Sequence, residues 1–210
     1  MVISSYVTTL QSLFQAQKKY VPVSKQQHRL SSVSQPATPG QGCLPQTVEE
    51  ENEVVKVFGS TGWSKENIVC LRGSEATTDA VSAALNSCLW VHLACHTFQD
   101  PKLGMKSAFA LHNGHLKLTE ITSKRLSNAQ FAFLSVCQAA SGQNDLPGMH
   151  LAAGLQFAGF SSVIATMWRI HDDDAPKVAE NTYKHIFRDG LEGLNPSDAA
   201  AALNHAVLCL

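Results

Sequence analysis

Two stretches decide how this chain folds: WVHLACHT at Trp90–Thr97 and FAFLSVC at Phe131–Cys137. Each is an apolar run of strand length, bounded by polar turn material and set between helical patterns. Such runs read as buried strands of a parallel sheet. Each also stops at a residue able to do chemistry, His96 in the first and Cys137 in the second. In open α/β sheets, ligands sit just beyond the carboxyl ends of the strands. An imidazole and a thiol finishing two such strands therefore predict one rim with a nucleophile and its base. The competing reading is that both are core residues, since free cysteine is among the most buried residue types.

Outward from these strands, the chain alternates between the two periodicities. Val2–Val7 is a short β-branched run, and Thr8–Lys19 carries Leu10, Leu13 and Phe14 at helical spacing. Leu30–Val33 reads as a strand, and Gln35–Pro45 (QPATPGQGCLP) is the clearest loop, with three prolines and two glycines. Thr47–Val57 is a helix with Val54, Val55 and Val57 as its apolar face. Asn67–Leu71 is a strand, and Thr77 is the expected N-cap of a helix packing through Ala80, Ala83, Ala84 and Leu85. Ser107–Leu118 sets Asn113-Gly114 between alternating runs, predicting a hairpin with a type I′ turn. Helices at Leu118–Arg125, Met149–Ala158 (stopped by Gly159), Ala175–Arg188 and beyond Pro196-Ser197-Asp198, with a strand at Ser161–Met167, complete the pattern. The order predicts an α/β three-layer αβα sandwich, its sheet mostly parallel with one inserted β-hairpin and short right-handed crossovers. The whole of 1–210 reads as one domain.

Composition narrows the function. Apolar residues make up 44% and charged residues 16% of 210, with a net charge of −1. That balance, with Lys and Arg scattered, gives no footprint for nucleic acid or for an anionic membrane. No apolar run approaches the ~18 residues of a membrane helix. Six cysteines lie at irregular spacings, three of them in or at the ends of strand candidates (Cys70, Cys95, Cys137). This suits reduced thiols and a cytoplasmic location better than a disulfide framework. A metal site at His92, Cys95 and His96 is disfavoured: on a strand the two histidines face one side and Cys95 the other, and no CxxC or HExxH accompanies them. No metal or cofactor is expected. His92 reads as a core histidine, and the aspartate run Asp172–Asp174 as charge at a helix N-terminus.

Taken together, HLACHT ending at Thr97, FLSVCQAASG around Cys137, His150–Pro176 and GSEATTDAV at Gly73–Val81 resemble the CHAT domain, most of all its fungal members. This family is caspase-like, of the clan that includes separase, and often lies behind tetratricopeptide repeats. The resemblance implies a caspase-like fold and a Cys-His dyad of Cys137 and His96 that hydrolyses peptide bonds, with oxyanion donors from the backbone near Thr97 and Cys137. It implies a protein or peptide substrate, and tetratricopeptide-repeat regions or other effector domains as partners. The family's amino-terminal segment before VISSYV is expected to be missing. Thr97 stands where the family commonly has Gly, which motivates an alternative: a catalytically silent scaffold or effector module in a larger assembly. For a protease, Trp168 and Asp172 are the candidates for substrate binding, with Asp172 reading a basic side chain.

Overall fold

The two deciding runs form neighbouring strands. β3 (Trp90–Phe98) and β6 (Phe131–Gln138) pair in parallel, in register from Trp90↔Phe131 to Thr97↔Gln138. This computed structural model describes residues 29–98, 104–138, 147–166, 171, 173–191 and 194–210, with isolated positions 3, 5 and 14; for 136–138 and 147–150 it describes the backbone alone. β1 (Leu30–Ser34) takes the other flank of β3 and pairs in turn with β2 (Ile68–Arg72). β7 (Ser162–Ala165) closes the far side against β6, giving the parallel order β2-β1-β3-β6-β7. The predicted strand at Val2–Val7 and helix at Thr8–Lys19 lie outside the described residues.

Helices cover both faces, which is why the central strands are apolar on both sides. One layer is α1 (Gln46–Ser60), α5 (Ala175–Ile186) and α6 (Ala199–Leu208). The other is α2 (Thr78–Ser87), α3 (Leu118–Ser123) and α4 (Pro147–Ala158). Even-numbered residues of β3 face the first layer and odd-numbered ones the second. Trp90 joins Phe58, Trp63, Phe131, Tyr183 and Phe187 on the α1 side, while Val91, Leu93 and Cys95 join Leu134, Leu151 and Leu155 on the other. The aromatic rings meet mostly edge-on, as in Phe58–Trp63 with centroids 4.8 Å apart and Phe58–Tyr183 at 5.0 Å. Such pairs contribute about 0.5–1.5 kcal/mol each beyond their burial. Among the described residues no helix is long and apolar enough to cross a membrane.

Several local expectations are corrected. β3 does not stop at His96: Thr97 and Phe98 pair antiparallel with Phe109 and Ala108 of β4 (Ala108–Leu111). Since β6 fills one flank of β3 as far as Thr97, β4 takes the flank that β1 leaves at Ala94. β4 and β5 (Gly114–Lys117) form the predicted hairpin, but its turn residues are His112 and Asn113, and neither has a positive φ. A type I′ turn needs both positive. Gly114 instead takes the unusual backbone at φ 152°, and Asn113 Oδ1 accepts from the Thr78 N–H at 2.8 Å, satisfying one orphan donor of α2. Thr77 caps α2 as expected, its hydroxyl oxygen accepting from the Ala80 N–H at 3.2 Å. The face of α2 is Val81, Ala84 and Leu85, with Ala83 exposed. β7, expected as a buried strand at Ser161–Met167, and β2 are outermost in the parallel stack among the described residues and only partly covered.

Tight packing fixes the second layer on the sheet. A Cβ at Gly154 of α4 would lie 2.7 Å from Cδ2 and 2.8 Å from Cδ1 of Leu118, which is itself fully buried. Overpacking of this kind costs about 1–3 kcal/mol, against about 1 kcal/mol gained in helix propensity. Gly154→Ala is therefore expected to lower the thermal unfolding midpoint, and to lower it less in a Leu118→Val background. A midpoint that holds or rises would show that Leu118 yields without cost.

Candidate functional site

His96 sits where β3 leaves the cover of β1. As an even-numbered residue it faces the α1 layer, and it is only 6% exposed. Its Nε2 lies 2.7 Å from the carbonyl oxygen of Gly42, so the N–H there donates to the backbone. That leaves Nδ1 as the nitrogen with the free lone pair; it is buried, with no hydrogen-bond partner among the described residues. The Gly42 carbonyl is presented by the loop at Gln35–Pro45. This loop folds back on itself through a bridge between Ala37 and Cys43 and through Leu44 N–H donating to Pro36 O at 2.8 Å.

The register brings Cys137 beside this imidazole. His96 and Cys137 are direct partners across the β3–β6 pair, so the two positions fall on the same face at a strand spacing of about 4.8 Å. Thr97 belongs to the opposite face, is 5% exposed, and is paired on both flanks, with Phe109 and with Gln138. Trp168 and Asp172 lie outside the described residues. The neighbouring Asp173 is exposed, and its Oδ1 accepts from Gln46 Nε2 at 3.0 Å, which sets this part of the acidic run against the start of α1, one residue after the loop that holds His96.

One buried polar group had no place in the sequence reading. Glu50 of α1 is 1% exposed. Its Oε2 accepts from Ser135 Oγ at 2.8 Å, and its Oε1 lies 3.1 Å from His92 Nε2. The second contact is within ion-pair distance but lacks the alignment of a hydrogen bond. His92 is wholly buried, stacked on Phe133 with centroids 5.0 Å apart, and its Nδ1 is 3.1 Å from Tyr183 Oη. Burial, with the Glu50 charge next, pushes the Tyr183 phenol well above its ordinary range, so it stays a donor. With Nδ1 accepting from Tyr183, Nε2 carries the proton that faces Glu50. His92 thus has both ring nitrogens facing protein groups, and Cys95 packs in the opposite core. A signal for Glu50 did exist: Glu50, Val54, Val57 and Phe58 follow the i, i+4, i+7, i+8 stripe of the buried face of α1. The acidic run Glu49–Glu51 hides it, because such runs are usually solvated.

Comparison with known proteins fits this architecture. The CHAT domain matches residues 3–210. Among solved structures, the complex of Porphyromonas gingivalis RgpB pro- and mature domains is similar at a TM-score of 0.58 and 13% identity, over 93% of this chain and 50% of that one. This chain thus spans about half of that one's length, and at such identity the likeness concerns the fold, a caspase-like gingipain fold with helices flanking the sheet. No curated protein matches. With the family matched over nearly the whole sequence, the chain belongs to the CHAT domain family.

Proposed function

We propose that this chain is a caspase-like cysteine endopeptidase using Cys137 as nucleophile and His96 as its acid–base partner. The observation that carries the reading is the His96↔Cys137 register combined with an imidazole whose Nε2 is committed to Gly42 and whose Nδ1 is not. A free thiol with pKa near ~8.5 is mostly protonated at neutral pH and needs such a neighbour. In the reaction, Nδ1 takes the thiol proton and the sulfur bonds to the scissile carbonyl carbon. The C–N bond then breaks, with the proton passing from His96 to the leaving amine. Water, deprotonated by the same nitrogen, cleaves the thioester and returns the thiol. The Cys137 backbone N–H is the nearer candidate for holding the oxyanion. The Thr97 N–H lies within a stretch of β3 paired on both flanks, with β4 and with β6, so its use requires that strand pairing to part. The substrate is a protein or peptide.

A second reading is a silent scaffold or effector module acting with repeat or other domains. The enclosure of His96 at 6% exposure favours it, as does the β-branched Thr97 at a donor position.

Alkylation by iodoacetamide across pH, followed at each cysteine by mass spectrometry, separates the two readings. Under the peptidase reading Cys137 reacts at pH 7 faster than the exposed Cys43, and His96→Ala abolishes the difference. Cys70 serves as the slow control, since burial and then the nearby Glu51 charge push its thiol up to about 11. A Cys137 no faster than Cys43, with no hydrolysis of a broad peptide library, would leave the scaffold.

Trp168 and Asp172 remain the substrate-binding candidates, and the position of Asp173 beside α1 supports the adjacent Asp172 as the residue that reads a basic side chain. Asp172→Asn is then expected to weaken cleavage after Lys and Arg while sparing other bonds. An equal loss on all peptides would assign Asp172 to folding instead.

A further inference from the structure

We propose that Glu50 is a positioning residue for the His96–Cys137 rim. Its carboxylate reaches both strands that carry the rim: His92 on β3, four residues before His96, and Ser135 on β6, two residues before Cys137. The same turns of α1 hold the third strand and the loop. Thr47 Oγ1 accepts from Ser34 Oγ of β1 at 3.3 Å and donates to Leu44 O at 2.8 Å, closing the loop that carries Gly42. The N-terminal half of α1 is therefore fastened by directional polar contacts, and its C-terminal half by Val54, Val57 and Phe58.

Packing alone does not call for a carboxylate here. A hydrocarbon side chain of similar volume on the same stripe would avoid the desolvation of a buried charge. What hydrocarbon lacks is direction: an apolar contact lets a helix slide or rock, and the Gly42 loop would move with it. Through Oε2 the Glu50 carboxylate is hydrogen-bonded to Ser135, which gives α1 a directional tie to β6, while Oε1 faces the His92 ring of β3 at 3.1 Å. Together with the Thr47 contacts this holds the carbonyl that sets the tautomer of His96. The catalytic consequence rests on the proposed dyad; the geometric one does not.

The test uses two readouts in the whole chain, the tautomer of His96 by 15N-histidine NMR (its signals assigned by their loss in His96→Gln) and the alkylation rate of Cys137 relative to Cys43 at pH 7. In the wild type, His96 is expected as the locked Nε2–H tautomer. In Glu50→Gln, folded by circular dichroism, that signal should average, and Cys137 alkylation should fall about tenfold or more, since small misplacements are costly at reacting centres. Ser135→Ala, which keeps the contact to His92, should produce a smaller change of the same kind, and decides the question by the same readouts if Glu50→Gln does not fold. An unchanged His96 tautomer and an unchanged Cys137 rate in the folded variant would overturn the proposal and make Glu50 a packing residue. If wild-type Cys137 is no more reactive than Cys43, yet Glu50→Gln still unlocks His96, the dyad fails and the positioning role stands.

Discussion

The in-register pairing of β3 with β6 is the constraint on which the rest depends. A slip of one residue would set His96 against Val136 or Gln138 and reverse every side chain of β6 between the two cores. The contacts that forbid it lie along a single face. Trp90 packs on Phe131 with centroids 4.7 Å apart, and its Nε1 donates to Gln130 Oε1 at 3.0 Å. One step up, His92 stacks on Phe133. Next, the small pair Ala94 and Ser135 leaves room for the Glu50 carboxylate, and beyond it come His96 and position 137. The face thus grades from a dry aromatic floor to a polar rim, and the floor holds the register that the rim requires.

The two adjacent acids of α1 show why magnitudes matter. Glu51 Oε2 meets Arg72 Nε at 2.6 Å, the shorter contact, but the Arg72 side chain is 44% exposed and water screens the pair. Such pairs contribute roughly 0–1 kcal/mol. The side chains of Glu50 and His92 are 2% and 0% exposed. With His92 neutral and its proton on Nε2, the group at stake is the Glu50 carboxylate. Leaving a buried polar group without its partner costs about 1–3 kcal/mol, more for a charged one, a sizeable share of the roughly 5–15 kcal/mol that stabilises a domain. The longer contact is therefore the one the fold feels. Its energy lies in the penalty for losing a partner rather than in any net gain from having both, which suits a group that specifies geometry.

Much of this was legible in the sequence because it depends on local pattern. The apolar runs of β3 and β6, the Pro- and Gly-rich loop, the Thr77 cap and the hairpin all announce themselves within a dozen residues. The features that were not legible depend on partners far away. β3 runs on to Phe98 only because β4 supplies a second flank for Thr97. Asn113 leaves its own turn to cap a helix 35 positions earlier. Among the described residues, the strands at Ile68–Arg72 and Ser162–Ala165 have the composition of central strands but lie outermost in the parallel stack, a matter of topology that periodicity does not encode. At the site, His96 was readable as a residue of a buried strand, although the strand runs past it to Phe98, whereas the carbonyl that holds it is a backbone atom and leaves no mark in the sequence.

Thr97 joins these threads. On the proposed dyad, a β-branched threonine directly after His96 restricts the backbone where an oxyanion donor would need freedom. As a strand residue it is apt: extended, buried, and held between Phe109 and Gln138, where branched side chains are favoured. The hairpin is what converts one situation into the other, since without β4 the chain after His96 would have a partner on β6 alone. The β-branched residue after His96 and the hairpin that departs from a simple parallel sheet are then two aspects of one feature. It fixes the backbone beyond His96 in the plane of the sheet, so any oxyanion donor supplied from that side must come from a strand held on both flanks, not from a free loop.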